Sequence, residues 1–144
     1  MLRYLVVANQ TLGGEALMAR VRECLASEPA SFHIVVPATP PRDHLLPTED
    51  EAREVAKGRL DQAMARFREL GADVDGEVGD ADPVQAIGDA IRQSSFDEII
   101  LSTLPAGPSR WLRRDVPHRV EKAFRLPVTH VVGDPVEEPS GSAS

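Results

Sequence analysis

The sequence predicts an α/β domain: an open, mostly parallel sheet of five strands in three layers, with helices on both faces. Three observations predict it. Short apolar runs alternate along the chain with segments of helical periodicity. Most of these runs lack the in-and-out alternation of a half-solvated strand, as expected where a parallel sheet is covered on both faces. Helix start and stop signals fall between them, which gives the order β-α-β-α-β-α-β-α-β.

The strands are expected at Arg3–Ala8 ("RYLVVA"), Phe32–Val36 ("FHIVV"), a weaker Asp73–Val78 ("DVDGEV"), Glu98–Leu101 ("EIIL") and Val128–Val132 ("VTHVV"). The first helix follows from Ala16, Leu17, Val21, Cys24 and Leu25 sharing one face between Glu15 and Leu25. A long second helix, Thr48 to Leu70, carries Ala52, Val55, Ala56, Leu60, Ala63, Met64, Phe67 and Leu70 inward. It opens with Thr48 and Glu51 at capping-box spacing and stops at Gly71. The third, Pro83 to about Gln93, has Asp82 as its cap, Pro83 in its first turn and Gln85 at the reciprocal position. A fourth covers Arg110 to Phe124, with Pro117 expected to bend or divide it. Right-handed crossovers then gather the loops Asn9–Gly14, Pro37–Pro47, Gly79–Pro83 and Ser102–Ser109 at the carboxyl edge of the sheet, where such folds bind ligands.

Composition narrows the partners. With 144 residues, 42% of them hydrophobic, the chain suits one domain with a real core. A net charge of −7 argues against sequence-independent binding to nucleic acid. The single cysteine, Cys24, allows no internal disulfide and reads as a buried small hydrophobe. No apolar run approaches the ~18 residues of a membrane span, and "MLRYLVVANQ" turns polar too soon for a signal peptide, so a cytoplasmic location is expected.

Few residues suggest chemistry by themselves. His33, His44, His118 and His130 are scattered without metal-ligand spacing, and no G-x-S-x-G elbow surrounds Ser94, Ser95 or Ser102. Asp80 and Asp82 form an acidic pair, but capping accounts for Asp82. The basic run "PSRWLRRDVPHRVEKAFR" places Arg110, Arg113 and Arg114 near a helix start, where an anion or an acidic partner would offset their repulsion from the helix dipole; a solvated face is the alternative. Trp111, among them, is expected to pack the helix start against a neighbour. The loop "NQTLGG" leads from strand to helix as phosphate loops do. It lacks both G-x-G-x-x-G and G-K-[ST], so its glycines serve either a ligand or only a turn.

Three segments together carry a resemblance: "RYLVVANQT", "VGDADPVQAIGDAI" with Gly79, Asp80 and Pro83, and "FDEIILSTLP" followed by "HRVEKAFRLPVTHVVG". Over residues 2 to 133 the chain resembles the universal stress protein family. The resemblance implies strand order 3-2-1-4-5, an adenine-nucleotide α-hydrolase-like or Rossmann-like fold, and a homodimer joined through Val128–Val132. It also implies a nucleotide cleft at Asn9, Gln10, Thr11, Val36, Gly79, Ser102, Thr103 and Arg110, with Asn9 where ATP-binding members have an aspartate. The domain would span 1–134, with a disordered acidic and Pro/Gly/Ser-rich tail over 135–144.

One departure stands out. ATP-binding members carry, after the fourth strand, a glycine, two residues, a second glycine, nine residues, and a third glycine before serine or threonine. Counted from the fourth strand those glycines fall on Ser102, Pro105 and Asp115; counted back from Pro127, on Leu101, Leu104 and Arg114. None is glycine, so side chains stand where backbone N–H groups would approach phosphates, and Pro105 has no N–H to give. The expectation is a non-enzymatic regulatory or stress-response protein with a degenerate nucleotide or anion cleft, taking ATP, AMP or another nucleotide weakly or not at all. The alternative is an enzyme acting on a nucleotide or phosphorylated metabolite through Asn9, Thr11, Ser102 and Arg110.

Overall fold

The computed structural model describes residues 1–38, 49–105, 110–113 and 115–133, without the side chains of residues 49, 110 and 113. The elements are β1 (Leu2–Val7), α1 (Glu15–Ser27), β2 (Ala30–Pro37), α2 (Glu49–Glu69), β3 (Asp73–Gly79), α3 (Pro83–Gln93), β4 (Glu98–Thr103), α4 (Arg110–Arg113), α5 (Val116–Phe124) and β5 (Val128–Val132). They form one parallel sheet of order β3-β2-β1-β4-β5. β1 lies at its centre, as the predicted order requires, and α2 is the longest helix at 21 residues without a break.

Alternate side chains of the central strands feed two cores. Tyr4, Val6, Phe32 and Ile34 face α1 and α2 and meet Leu17, Met18, Val21, Ala56, Leu60 and Phe67. Leu5, Val7, Val35, Ile99 and Leu101 face the other way and meet Ala86, Ile87, Trp111, Val116 and Val120. The central strands are therefore apolar on both faces, which is why their sequences read as unbroken runs. Cys24 is buried, as expected, and burial keeps its thiol protonated by raising its pKa; burial and a hydrogen bond with Cys24 push the pKa of Tyr4 up to about 12.

Several local expectations need correction. The last helical segment is divided into two helices, as expected, though Pro117 itself is not at the turn: it sits in the first turn of α5, where its missing N–H is harmless. The chain turns instead at Asp115, in the left-handed region with φ 55°. Asp82 does cap α3, accepting from the Val84 N–H at 3.0 Å, yet Gln85 does not reach back to it. Gln85 bonds forward to Asp89, and the Asp82 N–H goes to Asp80 Oδ1 at 2.9 Å. Strands β2 and β4 also run beyond their apolar stretches, through Ala30, Ser31 and Pro37 and through Ser102 and Thr103. Thr48, the loop to Pro47, residues 106–109, Arg114 and the expected tail lie outside the described residues.

Candidate functional site

In this strand order β1 is the switch point: the chain leaves it to one side for β2 and β3, and returns on the other side for β4 and β5. Crevices flanking β1 at its carboxyl end are where an open α/β sheet offers a site. Ala8 continues β1 with an N–H bond to Val35 O at 3.4 Å, so Asn9 emerges between the ends of β1 and β2. Two tight turns follow, Leu12 N–H to Asn9 O and Gly14 N–H to Thr11 O, and Gly13 takes φ 87°, which glycine tolerates without strain. The glycines of "NQTLGG" thus serve the turn into α1.

The polar side chains expected to line a cleft are largely engaged within the protein. Asn9 is buried, its Nδ2 donating to Pro37 O at 2.7 Å while its Oδ1 accepts from an Arg59 guanidinium N–H. A carbonyl on one side and a guanidinium on the other fix the amide's orientation. On the opposite flank Thr11 and Ser102, each 2% exposed, share a hydroxyl hydrogen bond of 2.6 Å. One hydrogen of the pair closes that bond, so the pair keeps the other to offer elsewhere.

Thr103, also buried, donates to Leu104 O at 2.8 Å and lies 2.7 Å from His130 Nε2 on β5. Because the single threonine hydrogen goes to Leu104 O, the His130 ring donates from Nε2, and partial desolvation of this otherwise exposed histidine lowers its pKa, favouring that neutral ring.

The remaining candidates are placed differently. Val36 is fully buried in the α1/α2 core, so its side chain supports the crevice from below. Gln10 is half-buried on the loop. Gly79 pairs with Pro37 across the strand ends, and a Cβ there would stand 2.9 Å from Ala86 Cβ and 3.0 Å from Val35 Cγ1. Close packing of α3 on β3 therefore accounts for this glycine. It also lines an open polar concavity of about 410 Å³ at the β3 edge, shared with Arg53, Glu77, Asp80, Asp89 and Arg92.

Arg110 begins α4, and its side chain lies outside the described residues, as do those of Arg113 and Arg114. Trp111 packs into the α3/α5 core, as the sequence suggested. Among the described residues no group of three or more His, Cys, Asp or Glu could hold a metal, and no helix is long and apolar enough to cross a membrane.

Two participants escaped the sequence reading. Arg59 reaches Asn9 from α2, and His130 joins Thr103 across β4 and β5. Arg59 adjoins the buried Leu60 and stands seven residues, two turns, before Arg66, whose guanidinium bonds to Gly13 O. That spacing was a visible signal; the loop it reaches was not.

No protein-family model and no curated protein matches the chain by sequence. Solved structures do match it by shape. The universal stress protein from Archaeoglobus fulgidus in complex with dAMP superimposes with a TM-score of 0.64 at 17% identity, covering 91% of this chain and 98% of that one. A universal stress protein in complex with cAMP gives 0.62 at 18%, covering 92% and 98%. A universal stress protein family protein from Arabidopsis thaliana with AMP bound gives 0.60 at 14%, covering 100% and 99%. At such identities the likeness is architectural: this chain has the universal stress protein fold.

Proposed function

We propose that the protein is a non-enzymatic regulator of the universal stress type, a homodimer through Val128–Val132, with a crevice beside Asn9 that takes an adenine mononucleotide weakly. The observation that carries this reading is the gathering of Asn9, Thr11, Ser102 and Thr103 at the carboxyl ends of β1 and β4, on the same architecture as structures that hold dAMP, cAMP and AMP. Weak binding is supported by what these groups already do. Ser102, a glycine position of the family pattern in one register, shares a hydrogen bond with Thr11 that leaves the pair one hydrogen, and Asn9 has each end of its amide engaged, on Pro37 and on Arg59. Among the described residues no base is bonded to the Thr11–Ser102 pair, and the His130 Nε2 beside Thr103 donates rather than accepts, so these hydroxyls are poor nucleophiles.

Native mass spectrometry of freshly purified protein, followed by calorimetric titration with ATP, AMP and a cyclic nucleotide, tests the reading. The expected result is no co-purified nucleotide, AMP binding weaker than micromolar, and ATP no tighter than AMP. Stoichiometric nucleotide carried through purification, micromolar ATP affinity, or turnover that disappears in Asn9→Ala would overturn it. Sedimentation equilibrium at micromolar concentration tests the dimer, which a clean monomer would refute.

A further inference from the structure

Two arginines of α2 hold the β1–α1 loop at its two ends, Arg59 on the Asn9 side chain and Arg66 on the Gly13 carbonyl. Their effects on the crevice differ. Arg66 grips backbone at the helix start, near Glu15, whose carboxyl pKa is lowered mainly by its hydrogen-bonded ion pair with Arg22 and only slightly by Arg66. Arg59 covers the side-chain carbonyl of the one amide that stands between the ends of β1 and β2, and Asn9 Nδ2 is committed to Pro37 on the other side. An amide reads a nucleobase by accepting and donating along one edge. Here one acceptor position of the carbonyl oxygen is held by a guanidinium of the same chain, which orients that oxygen toward α2.

We propose that Arg59 is an internal plug of the crevice, and that it sets specificity by competing for the Asn9 carbonyl oxygen with any ligand that would donate to it. The proposal rests on the reading of this crevice as a nucleotide site. The energy scale follows from the bond that must be broken: a hydrogen bond to a charged group, part-buried, is worth enough to cost about tenfold in affinity, or about 1.4 kcal/mol. Pro37, which anchors the other end of the amide, is backbone and has no side-chain donor to rearrange, so the adjustable part of the lock is Arg59.

The test is calorimetric titration of wild type, Arg59→Ala and Arg66→Ala with AMP and with adenosine, with thermal melts to establish folding. Arg59→Ala is expected to bind both probes about tenfold more tightly. Arg66→Ala, which frees the Gly13 carbonyl but leaves Asn9 covered, is expected to bind as wild type does. Adenosine carries no phosphate, so a parallel gain for both probes shows that access to the crevice, rather than charge, has changed.

If Arg59→Ala loses AMP affinity while adenosine is unaffected, Arg59 is a phosphate ligand and the plug is overturned while the nucleotide reading survives. Unchanged affinity for both probes in a wild type that binds AMP also overturns the plug alone. If neither wild type nor Arg59→Ala binds either probe, the plug and the nucleotide reading fall together. An equal gain in Arg66→Ala overturns the plug in favour of general loosening of the loop.

Discussion

The two edges of the sheet are built on opposite plans. β3 carries Asp73, Asp75 and Glu77 in seven residues, and His33 of β2 is held between two of them, its Nδ1 2.8 Å from Asp75 Oδ1 and its Nε2 2.8 Å from Glu77 Oε2. β5 is "VTHVV", with no carboxylate, lysine or arginine, and Val132 is 47% exposed. An edge strand leaves a row of N–H and C=O groups open to another chain, and charge is a common guard against unwanted pairing. Two like-charged β3 edges repel, whereas the residues of β5 itself set no carboxylate, lysine or arginine against a second copy. The contrast supports β5 as the edge of the proposed dimer.

The edges also differ in how they are tied to the body. Thr129 of β5 donates to Glu98 at 2.6 Å, and Glu98 meets Arg20 of α1 at 3.3 Å, so polar side chains anchor that edge. β3 is tied to β2 by His33 and, in addition, packs very closely at Gly76. A Cβ on Gly76 would stand 2.6 Å from Leu60 Cδ1 and 2.9 Å from the Ile34 carbonyl oxygen. The leucine can turn aside, but the backbone oxygen cannot. Gly76→Ala is therefore expected to produce the largest effect, a loss of about 2 kcal/mol in urea unfolding, within the range for overpacked cores. Stability equal to wild type would show that β3 is held by its charges after all.

Self-association should respond at the other edge. Val132→Lys places a charge on the exposed end of β5, and we expect the dimer to weaken by about tenfold or more, about 1.4 kcal/mol, in sedimentation equilibrium. The monomer's urea midpoint should barely move, since exposed substitutions of this kind stay within about 0.5 kcal/mol. A dimer of undiminished strength would move the interface away from this edge.

Removing the histidine between the acids tests β3 more gently. His33→Leu leaves Asp75 and Glu77 as neighbouring carboxylates with no donor from β2. Because these side chains are 67% and 41% exposed, solvent screens the interaction, and the expected loss is about 1 kcal/mol rather than that of a buried pair. Adding 1 M salt should shrink the difference between wild type and variant. A difference that persists would mark the histidine's packing near Phe96, with ring centroids 5.9 Å apart, as the greater contribution.

These edges were only half legible in the sequence. The central strands were plain because a strand buried on both faces must be apolar throughout, and β5 was bounded correctly because Pro127 and Gly133 frame it. β2 and β4 were read short, since the ladder continues through Ser31, Ser102 and Thr103 after the apolar signal ends. The site was harder still. Thr11 and Ser102 are 91 residues apart, and Asn9 and Pro37 are 28 apart. Such contacts depend on crossovers that bring loops together, and no local spacing encodes them. Asp115 shows the limit of pattern matching most clearly: it stands at a glycine position of the family pattern in one register and keeps a left-handed backbone, φ 55°, without being glycine.

The smallest expected effect is on pH dependence, and it bears on the uncharged edge directly. His130 is the one residue of β5 that can acquire a charge near neutrality. Although the residue is exposed on the edge, partial desolvation of its ring lowers its pKa, so the folded protein takes up this proton at lower pH than the unfolded chain, which does so at about 6.5. Between that value and the lower folded one, the unfolded state binds more protons, and stability must fall as pH falls. Above about 6.5 the contribution is complete. The imidazolium would also charge the edge through which two copies are proposed to meet, so association should weaken in the same window. His130→Gln can still donate to Thr103 without titrating. Comparing urea unfolding of the two proteins at several pH values between 7.5 and 5.5 should therefore show a shallower decline for the variant, with the other histidines cancelling in the difference. Parallel curves would mean that the Thr103 contact does not hold His130 neutral, and that the β5 edge is indifferent to pH.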